Sequence, residues 1–186
     1  PMAAPRATVY KAQLQVTDID RNYYADHALT IACHPSETEE RLMLRLLAFA
    51  LNARDDLAFG KGLSDDEEPD LWLKDLTGAI RLWIDIGQPD EKRMRRACGR
   101  AEQVFVYAYG GQGTDLWWKK TSAEVERCEN LTVIQLPYEA CKTLVKLAER
   151  NMQLNCTIQE GQLWLANASD SVLVEPVVLK AAMKAP

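Results

Sequence analysis

Two short apolar runs, each carrying one carboxylate, constrain the fold of this chain more than any other stretch. Residues 68–73 (EPDLWL) hold Asp70, and residues 83–88 (WIDIGQ) hold Asp85, fifteen positions later. Residues 74–78 (KDLTG) can supply a turn between the two runs. Successive side chains of a strand point to opposite faces, so each acid faces a different environment from its apolar neighbours. Two antiparallel neighbours would bring both acids to the same end of one sheet.

Two carboxylates so close together need a compensating group. At about 4 Å, two like charges repel by roughly 4 kcal/mol at an effective dielectric constant of about 20. The pair therefore requires a cation, a shared proton or a basic neighbour. Carboxylate and carbonyl oxygens are preferred ligands of hard divalent cations. We therefore predict a divalent-metal site formed by Asp70 and Asp85. The alternative for Asp70 is a loop-end acid in an acidic run.

The net charge is uneven along the chain. The 186 residues carry a formal charge of −5, and residues 65–70 alone hold five acids and no base. Removing those five from the 27 Asp and Glu residues leaves 22, which equals the 22 Lys and Arg residues. Net acidity therefore does not exclude a nucleic-acid partner, although it gives no positive support for one.

Composition indicates a soluble protein of a reducing compartment. The length favours a single compact domain over residues 1–186. The five cysteines are scattered and never form a Cys-x-x-Cys pair, so we expect core thiols and neither disulfides nor a zinc site. No run is long enough to span a membrane and no signal-peptide pattern is present. These features predict a cytoplasmic location and no membrane partner.

The region before the acids predicts a central helix. Ser36-Glu37-Thr38-Glu39 matches a capping box, and the apolar pattern predicts a mostly buried helix up to about Arg54. Glu40 lies on the stripe of Leu44, Leu47 and Leu51, so it is the acid of this helix that can point inward. The alternative is an exposed first-turn acid favoured by the helix dipole.

The remaining chain predicts an α/β protein with a mixed central sheet flanked by helices. A hairpin over residues 7–16 and 23–33 opens the chain, and strands at 152–158, 163–166 and 172–179 close it as an antiparallel meander. Pro89 suits the first position of a basic helix. The strand, helix and strand from 81 to 109 then form a parallel crossover.

This order of elements resembles the PD-(D/E)XK nuclease-like superfamily, also called restriction-endonuclease-like. The resemblance implies that Asp70 and Asp85 bind a divalent metal, Mg²⁺ or Mn²⁺, with the carbonyl of Ile86 as a further oxygen ligand. In that superfamily a lysine two residues after the second acid orients or deprotonates the attacking water, but Gly87 stands there. Lys92 is the substitute that the following helix offers, and Gln88 or Arg96 are polar surrogates. The alternative for Lys92 and Arg96 is a solvated basic face, or ion pairs to the acidic run.

The chain as a whole resembles the YaeQ family, a bacterial family similar in fold to those nucleases. The shared motifs span residues 6 to about 175: 7–11 (ATVYK), 34–38 (HPSET), 40–41 (ER), 45–48 (RLLA), 66–69 (DEEP), 82–87 (LWIDIG), 89–91 (PDE), 117–118 (WW), 157–161 (TIQEG) and 163–165 (LWL). The resemblance implies the fold and leaves catalysis open.

Three hypotheses on function follow. The first is a metal-dependent phosphodiesterase of the nuclease type, acting on DNA or RNA through Asp70 and Asp85 with help from Glu40, Lys92 and Gln88. The second is a non-catalytic module that retains the nuclease-like fold and binds nucleic acid or a protein on the basic helix at 92–100. The third is a scaffold whose exposed Trp117 or Trp118 anchors a protein partner.

Overall fold

The computed structural model describes residues 6–183, which contain eleven β-strands and four α-helices. In chain order they are β1 (Thr8–Asp18), β2 (Tyr23–Cys33), α1 (Glu39–Leu51), β3 (Ala58–Phe59), β4 (Leu71–Lys74), β5 (Ile80–Ile86), α2 (Glu91–Arg100), β6 (Ala101–Ala108), α3 (Gln112–Val125), β7 (Leu131–Gln135), α4 (Tyr138–Leu144), β8 (Asn151–Gln159), β9 (Gln162–Ala166), β10 (Ser171–Val174) and β11 (Val177–Lys180). The mixed α/β class predicted from the sequence is confirmed.

The chain divides into two compact units by its internal contacts. The first unit comprises the described part of Pro1–Ala53 together with Glu139–Glu175. The second unit comprises Arg54–Tyr138 and the described residues that follow Glu175. Whether residues 1–186 behave as a single domain stays a prediction.

The first unit is built on a five-stranded sheet in the order β10-β9-β8-β1-β2. All neighbours are antiparallel except β1 and β8, which run parallel. Along β1, Tyr10, Ala12, Leu14 and Val16 are buried, as the period-two pattern predicts. The residues between them are exposed, so one face of this sheet is core and the other is open to solvent.

Helix α1 belongs to the first unit and is buried continuously from Leu42 to Ala50. Its N-cap is Thr38, whose hydroxyl accepts a hydrogen bond from Arg41 N at 3.1 Å. The prediction that Ser36 begins a capping box was wrong, because the Ser36 hydroxyl is bonded to His34 Nδ1 at 2.7 Å. The helix ends at Leu51, before the predicted Arg54.

The second unit contains a six-stranded sheet in the order β11-β7-β6-β5-β4-β3. The three central strands β5, β6 and β7 are parallel, and the outer pairs are antiparallel. Helix α2 connects β5 to β6, so the predicted crossover between residues 81 and 109 is confirmed as parallel. Asp90 caps α2 by accepting from Arg93 N at 2.8 Å. Pro89 therefore precedes the cap and is not the first helical residue.

The predicted single central sheet is wrong, because the strands near the two ends of the chain form a second sheet. The N-terminal hairpin and the C-terminal strands pair with each other, through β1 and β8, and form a sheet of their own. The predicted single strand at 172–179 is two strands, because Pro176 lies between β10 and β11 and has no N–H for a ladder bond. Strand β10 joins the first sheet and β11 the second.

No helix among residues 6–183 has both the length and the apolar character needed to cross a bilayer.

Two glycines with open space around them allow a matched test of backbone propensity. Gly99 lies within α2, whereas Gly78 has φ +87° in the turn between β4 and β5, and at both a Cβ would meet no atom within 4 Å. We expect Gly99→Ala to raise the free energy of unfolding by about 0.5 kcal/mol, because alanine loses less conformational freedom in a helix. We expect Gly78→Ala to lower it by about 1 kcal/mol, because alanine is strained at positive φ. Urea unfolding measures the free energy of unfolding of both variants. A change of the same sign and size in the two would contradict this prediction.

Candidate functional site

Strands β4 and β5 bring the two acids predicted from the sequence to the same end of the second sheet. Leu71 lies opposite Ile84 in the antiparallel register, so Asp70 and Asp85 occupy adjoining positions beyond that pair. Asp70 N donates to Ile84 O at 3.0 Å, and Asp70 Oδ2 accepts from Ile86 N at 2.7 Å. Both acids are buried, with 2% of Asp70 and 4% of Asp85 exposed. Asp70 thus serves to join the start of β4 to the end of β5.

Asp85 is held by a guanidinium. Arg93 Nε donates to Asp85 Oδ2 at 2.8 Å, and an Arg93 terminal nitrogen donates to Oδ1 at 3.1 Å. Trp83 Nε1 donates a third hydrogen bond to Oδ2 at 3.0 Å. The carboxylate therefore receives a bidentate, charge-assisted pair and an indole donor, which together offset the cost of burying its charge.

Arg93 is fixed on its other side by the backbone of the acidic run. Its two terminal nitrogens donate to Asp66 O at 2.9 Å and to Glu68 O at 3.0 Å. Four of the five N–H groups of the guanidinium are thereby used. The hydrogen bonds that Arg93 donates to Asp85 raise the pKa of Arg93 above its ordinary value, against the opposing effect of burial. The charges of Asp85, Asp70 and Asp66 raise this pKa further. Arg93 thus remains charged at any working pH.

A glycine loop closes over Asp70. Gly62 has φ +51°, and a Cβ at this position would collide with Asp70 Oδ1. Gly60 is equally tight, since a Cβ there would collide with the carbonyl oxygen of Pro69. Gly60 N donates to Asp70 O at 2.9 Å, and Gly62 N donates to Pro69 O at 3.2 Å. Residues 60–62 therefore lie directly against the strand start that carries Asp70.

This arrangement does not fit a divalent metal ion. The charge that the two carboxylates need is supplied by Arg93, and a metal would have to displace two hydrogen bonds from Asp85. Within residues 6–183, no three His, Cys, Asp or Glu side chains lie together as metal ligands. The Mg²⁺ or Mn²⁺ site on Asp70, Asp85 and Ile86 stays a prediction, and it would require Arg93 to leave Asp85.

The lysine position of the nuclease pattern is suited to glycine. Gly87 has φ +120°, where a side chain is strained even though space is available. Its N–H donates to Tyr107 O at 2.9 Å, which ties the end of β5 to β6. Lys92, the predicted substitute, is exposed on α2, and among the described residues it has no hydrogen bond or ion pair with Asp70 or Asp85.

The other predicted catalytic residues have neighbours of their own. Gln88 is exposed, and its amide nitrogen donates to Tyr109 O at 2.9 Å, which braces the loop that begins at Gly110. Glu40 belongs to the first unit, where its carboxylate lies 3.2 Å from the ammonium of Lys142. The catalytic roles proposed for both residues stay predictions.

Arg93 is the functional residue that the sequence interpretation missed. The sequence analysis assigned it no role beyond its place in the basic helix at 92–100. The available signal was its position one residue before Met94 and four before Ala97, which are the buried residues of this helix. Side chains four residues apart share a helix face, so Arg93 had to lie at the edge of the buried face.

The exposed side of α2 forms a basic face of Lys92, Arg95, Arg96 and Arg100, which we call the α2 face. Glu67 lies 3.7 Å from Arg96 and 3.6 Å from Arg100, and Arg100 also donates to Glu67 O at 2.9 Å. Arg95 pairs with Glu91 at 2.7 Å. The alternative anticipated for this helix, ion pairs to the acidic run, is therefore present at Arg96 and Arg100.

The tryptophan pair is not an exposed anchor. Trp117 and Trp118 are half-buried, contact each other with ring centroids 5.7 Å apart, and pack against the core of the second unit. Trp117 Nε1 donates to Pro89 O at 2.7 Å, which fixes α3 to the segment before α2. The expectation of an exposed tryptophan was wrong, because both rings serve the packing of α2 and α3.

Comparison with known proteins gives a consistent result. The family model described as "YaeQ protein" matches residues 2–176. The crystal structure of the YaeQ protein from Xanthomonas axonopodis pv. citri is 52% identical, with a TM-score of 0.92, and the match covers 94% of this chain and 99% of that one. The YaeQ protein from Pseudomonas syringae is 35% identical, with a TM-score of 0.91 over 96% and 98% of the two chains. A relative from Salmonella typhi, described as "Uncharacterized protein YaeQ", is 42% identical over 172 residues, which is 92% of this chain and 95% of that protein.

The pair formed by Asp85 and Arg93 predicts a measurable stability effect. We expect Asp85→Asn and Arg93→Gln each to lower the free energy of unfolding by about 2 kcal/mol, because each leaves a largely buried charge without its partner. The double variant should lose less than the sum of the two, with a coupling of about 1 kcal/mol or more. The control is Arg81→Gln, whose partner Glu102 is 61% exposed, with an expected change within about 0.5 kcal/mol. If Asp85→Asn instead stabilises the protein, the two acids repel each other and the ion pair does not hold the site.

Proposed function

The chain belongs to the YaeQ family, and we propose that it is a non-catalytic nucleic-acid-binding module in which an arginine replaces the metal of a nuclease-like core. The observation that carries the proposal is the bidentate contact of Arg93 with Asp85, at 2.8 and 3.1 Å. In a PD-(D/E)XK nuclease the two acids need a cation between them. Here the Arg93 guanidinium supplies that positive charge permanently. Unlike a metal ion, it carries no bound water molecule whose pKa it could lower to make a nucleophile.

The resemblance to the nuclease superfamily supports the choice of partner. The acids at the adjoining ends of β4 and β5, with α2 and then β6 following, correspond to the order of elements in that superfamily. A core of this type presents its helix and strand ends to a nucleic-acid backbone. We infer that the chain has kept this mode of binding without the chemistry.

The α2 face supplies the groups that would contact phosphates. Lys92, Arg96 and Arg100 are spaced four residues apart and therefore follow one stripe along the helix, about 6 Å of rise per step. Arginine matches a phosphate bidentately, and each neutralised phosphate releases counterions from the nucleic acid. These contacts follow the backbone, so the proposal implies little dependence on base sequence.

Glu67 acts as an internal competitor for this stripe. Its carboxylate is 69% exposed and lies beyond hydrogen-bond distance of the nearest Arg96 and Arg100 nitrogens, at 3.7 and 3.6 Å. Exposed ion pairs of this kind contribute between about 0 and 1 kcal/mol. A phosphate group can therefore displace the Glu67 carboxylate from Arg96 and Arg100 at little cost, while Arg100 keeps its hydrogen bond to Glu67 O. The same contact explains how an acidic chain can retain a nucleic-acid-binding surface.

The proposal predicts opposite effects from neighbouring charges. We expect the double variant Arg96→Ala with Arg100→Ala to weaken binding of a labelled DNA or RNA oligonucleotide by about tenfold or more, and to reduce the slope of log K against log salt by about 2. We expect Glu67→Gln to tighten binding, because it removes the competitor. The control Arg81→Ala removes one charge from a different part of the second unit and should change neither value appreciably. Fluorescence anisotropy at several salt concentrations measures all four proteins.

Two outcomes would contradict the proposal. Absence of binding, or binding that does not depend on salt, would remove nucleic acid as the partner. Cleavage of the oligonucleotide with Mg²⁺ or Mn²⁺ that disappears in Asp85→Asn would restore the metal-dependent phosphodiesterase and require Arg93 to leave Asp85 during the reaction.

A further inference from the structure

The open face of the first sheet carries a block of side-chain amides around a cavity. In the parallel register of β1 and β8, Gln13 lies opposite Gln153 and Gln15 lies opposite Asn155. All four are exposed, since they alternate with the buried residues of both strands. The cavity is open to solvent and has a volume of about 530 Å³, and its polar lining residues are the four amides, Asp26 and Asn167. This volume lies within the range of small-ligand sites.

The amides of this block are available to a ligand. Among the described residues, no hydrogen bond is formed by the side chains of Gln13, Gln15, Gln153 or Asn155. Each offers two N–H donors and a carbonyl oxygen with two lone pairs. At the rim, the Asn167 oxygen accepts from Ser169 N at 2.9 Å and Asp170 N at 2.7 Å, which orients that side chain. A ligand would therefore meet several donors and acceptors side by side.

The cavity has almost no charge, although charged residues make up 26% of the chain. Asp26, opposite Gln15 in the β1–β2 register, is the one ionisable side chain among its lining residues. A phosphate group would meet this carboxylate and no lining cation. The lining therefore disfavours a polyanion and favours a neutral ligand rich in groups that both donate and accept hydrogen bonds.

A row of four residues with an aromatic side chain at each end, which we call the aromatic row, lies next to the amide block on the same face. Tyr24 lies opposite Thr17, Thr17 opposite Thr157, and Thr157 opposite Trp164, so the row crosses four strands. Tyr24 is 59% exposed and Trp164 is half-buried. Each ring therefore offers an apolar surface next to one polar group, the hydroxyl of Tyr24 or the indole N–H of Trp164.

We propose that this face binds a neutral oligosaccharide, which we place across the amide block with its apolar ring faces against Tyr24 and Trp164. Sugar hydroxyls donate and accept at once, and so they match the mixed groups of the four amides and the Asp26 carboxylate. The C–H faces of the sugar rings match the aromatic row. This site lies in the first unit and uses no residue of the proposed nucleic-acid surface, so it stands or falls independently.

The test uses the whole chain and two uncharged probes, cellopentaose and maltopentaose, titrated to about 10 mM, a range that detects millimolar affinity. Binding is followed through the side-chain NH₂ signals of Gln and Asn in nitrogen-15 NMR spectra. We expect shifts confined to the amide block and at least a tenfold loss of affinity in the double variant Gln15→Ala with Asn155→Ala. The matched control is Asn151→Ala, on the same strand and face but outside the cavity, and it should bind as the parent does.

Three outcomes would overturn the proposal. No shift with either probe, or affinity that is unchanged in the double variant, removes the site. Shifts of the same amides by decathymidylate or decauridylate, without any by the sugars, assign the face to single-stranded nucleic acid. If the double variant has a lower melting temperature than the parent, its loss of affinity is not used. The proposal then holds if the shifts in the parent protein lie in the amide block, and it fails if they lie elsewhere.

Discussion

The charge pair between Asp85 and Arg93 is the interaction on which the second unit depends. It joins the end of β5 to α2, and Arg93 extends the connection to the backbone of the acidic run through Asp66 O and Glu68 O. The end of β5, helix α2 and the acidic run, which lies 25 or more residues before Arg93, thereby converge on one guanidinium. Removing a buried charge's partner costs far more than an exposed pair contributes, so this pair constrains what the site can do.

That constraint is also the basis on which we propose binding and not catalysis. A metal centre requires carboxylate oxygens that are open to the ion and to its water ligands. Here Asp85 accepts from Trp83 and Arg93, and Asp70 accepts from the backbone of Ile86. Gly87, at φ +120°, is a poor position for any side chain. In our proposal the acids at this end of the sheet connect structural elements, and the partner binds the basic side of α2.

The two units differ in the kind of surface that they expose. The second unit exposes a row of cations on α2, partly neutralised by Glu67. The first exposes an uncharged amide block on a sheet face. Charged rows respond to salt, whereas amide surfaces recognise hydrogen-bonding shape and are nearly indifferent to it. The two surfaces that we propose therefore differ in the ligands that they would bind and in their expected response to salt.

Local patterns in the sequence were sufficient for most elements. The alternation of β1, the apolar run of α1 and the parallel crossover through α2 follow from period and composition, because the faces of strands and helices are set by local geometry. Errors occurred where several local signals competed, as at Ser36 and Thr38 or Pro89 and Asp90, since either residue of each pair is able to begin a helix. The split at Pro176 was readable from the sequence, because proline cannot donate to a ladder.

The sequence by itself determined the α/β class, the family, and the two acids at one end of a sheet. Only the tertiary structure decided what those acids do. Which cation meets Asp85 depends on how α2 is rotated against β5, and α2 offers five basic residues to choose from. Likewise, the pairing of β1 with β8 joins residues 140 positions apart, Lys11 with Asn151, and no local pattern specifies such a partner. Contacts between distant segments are set by the packing of the whole core, and so the sheet order and the choice of Arg93 became known only from the fold.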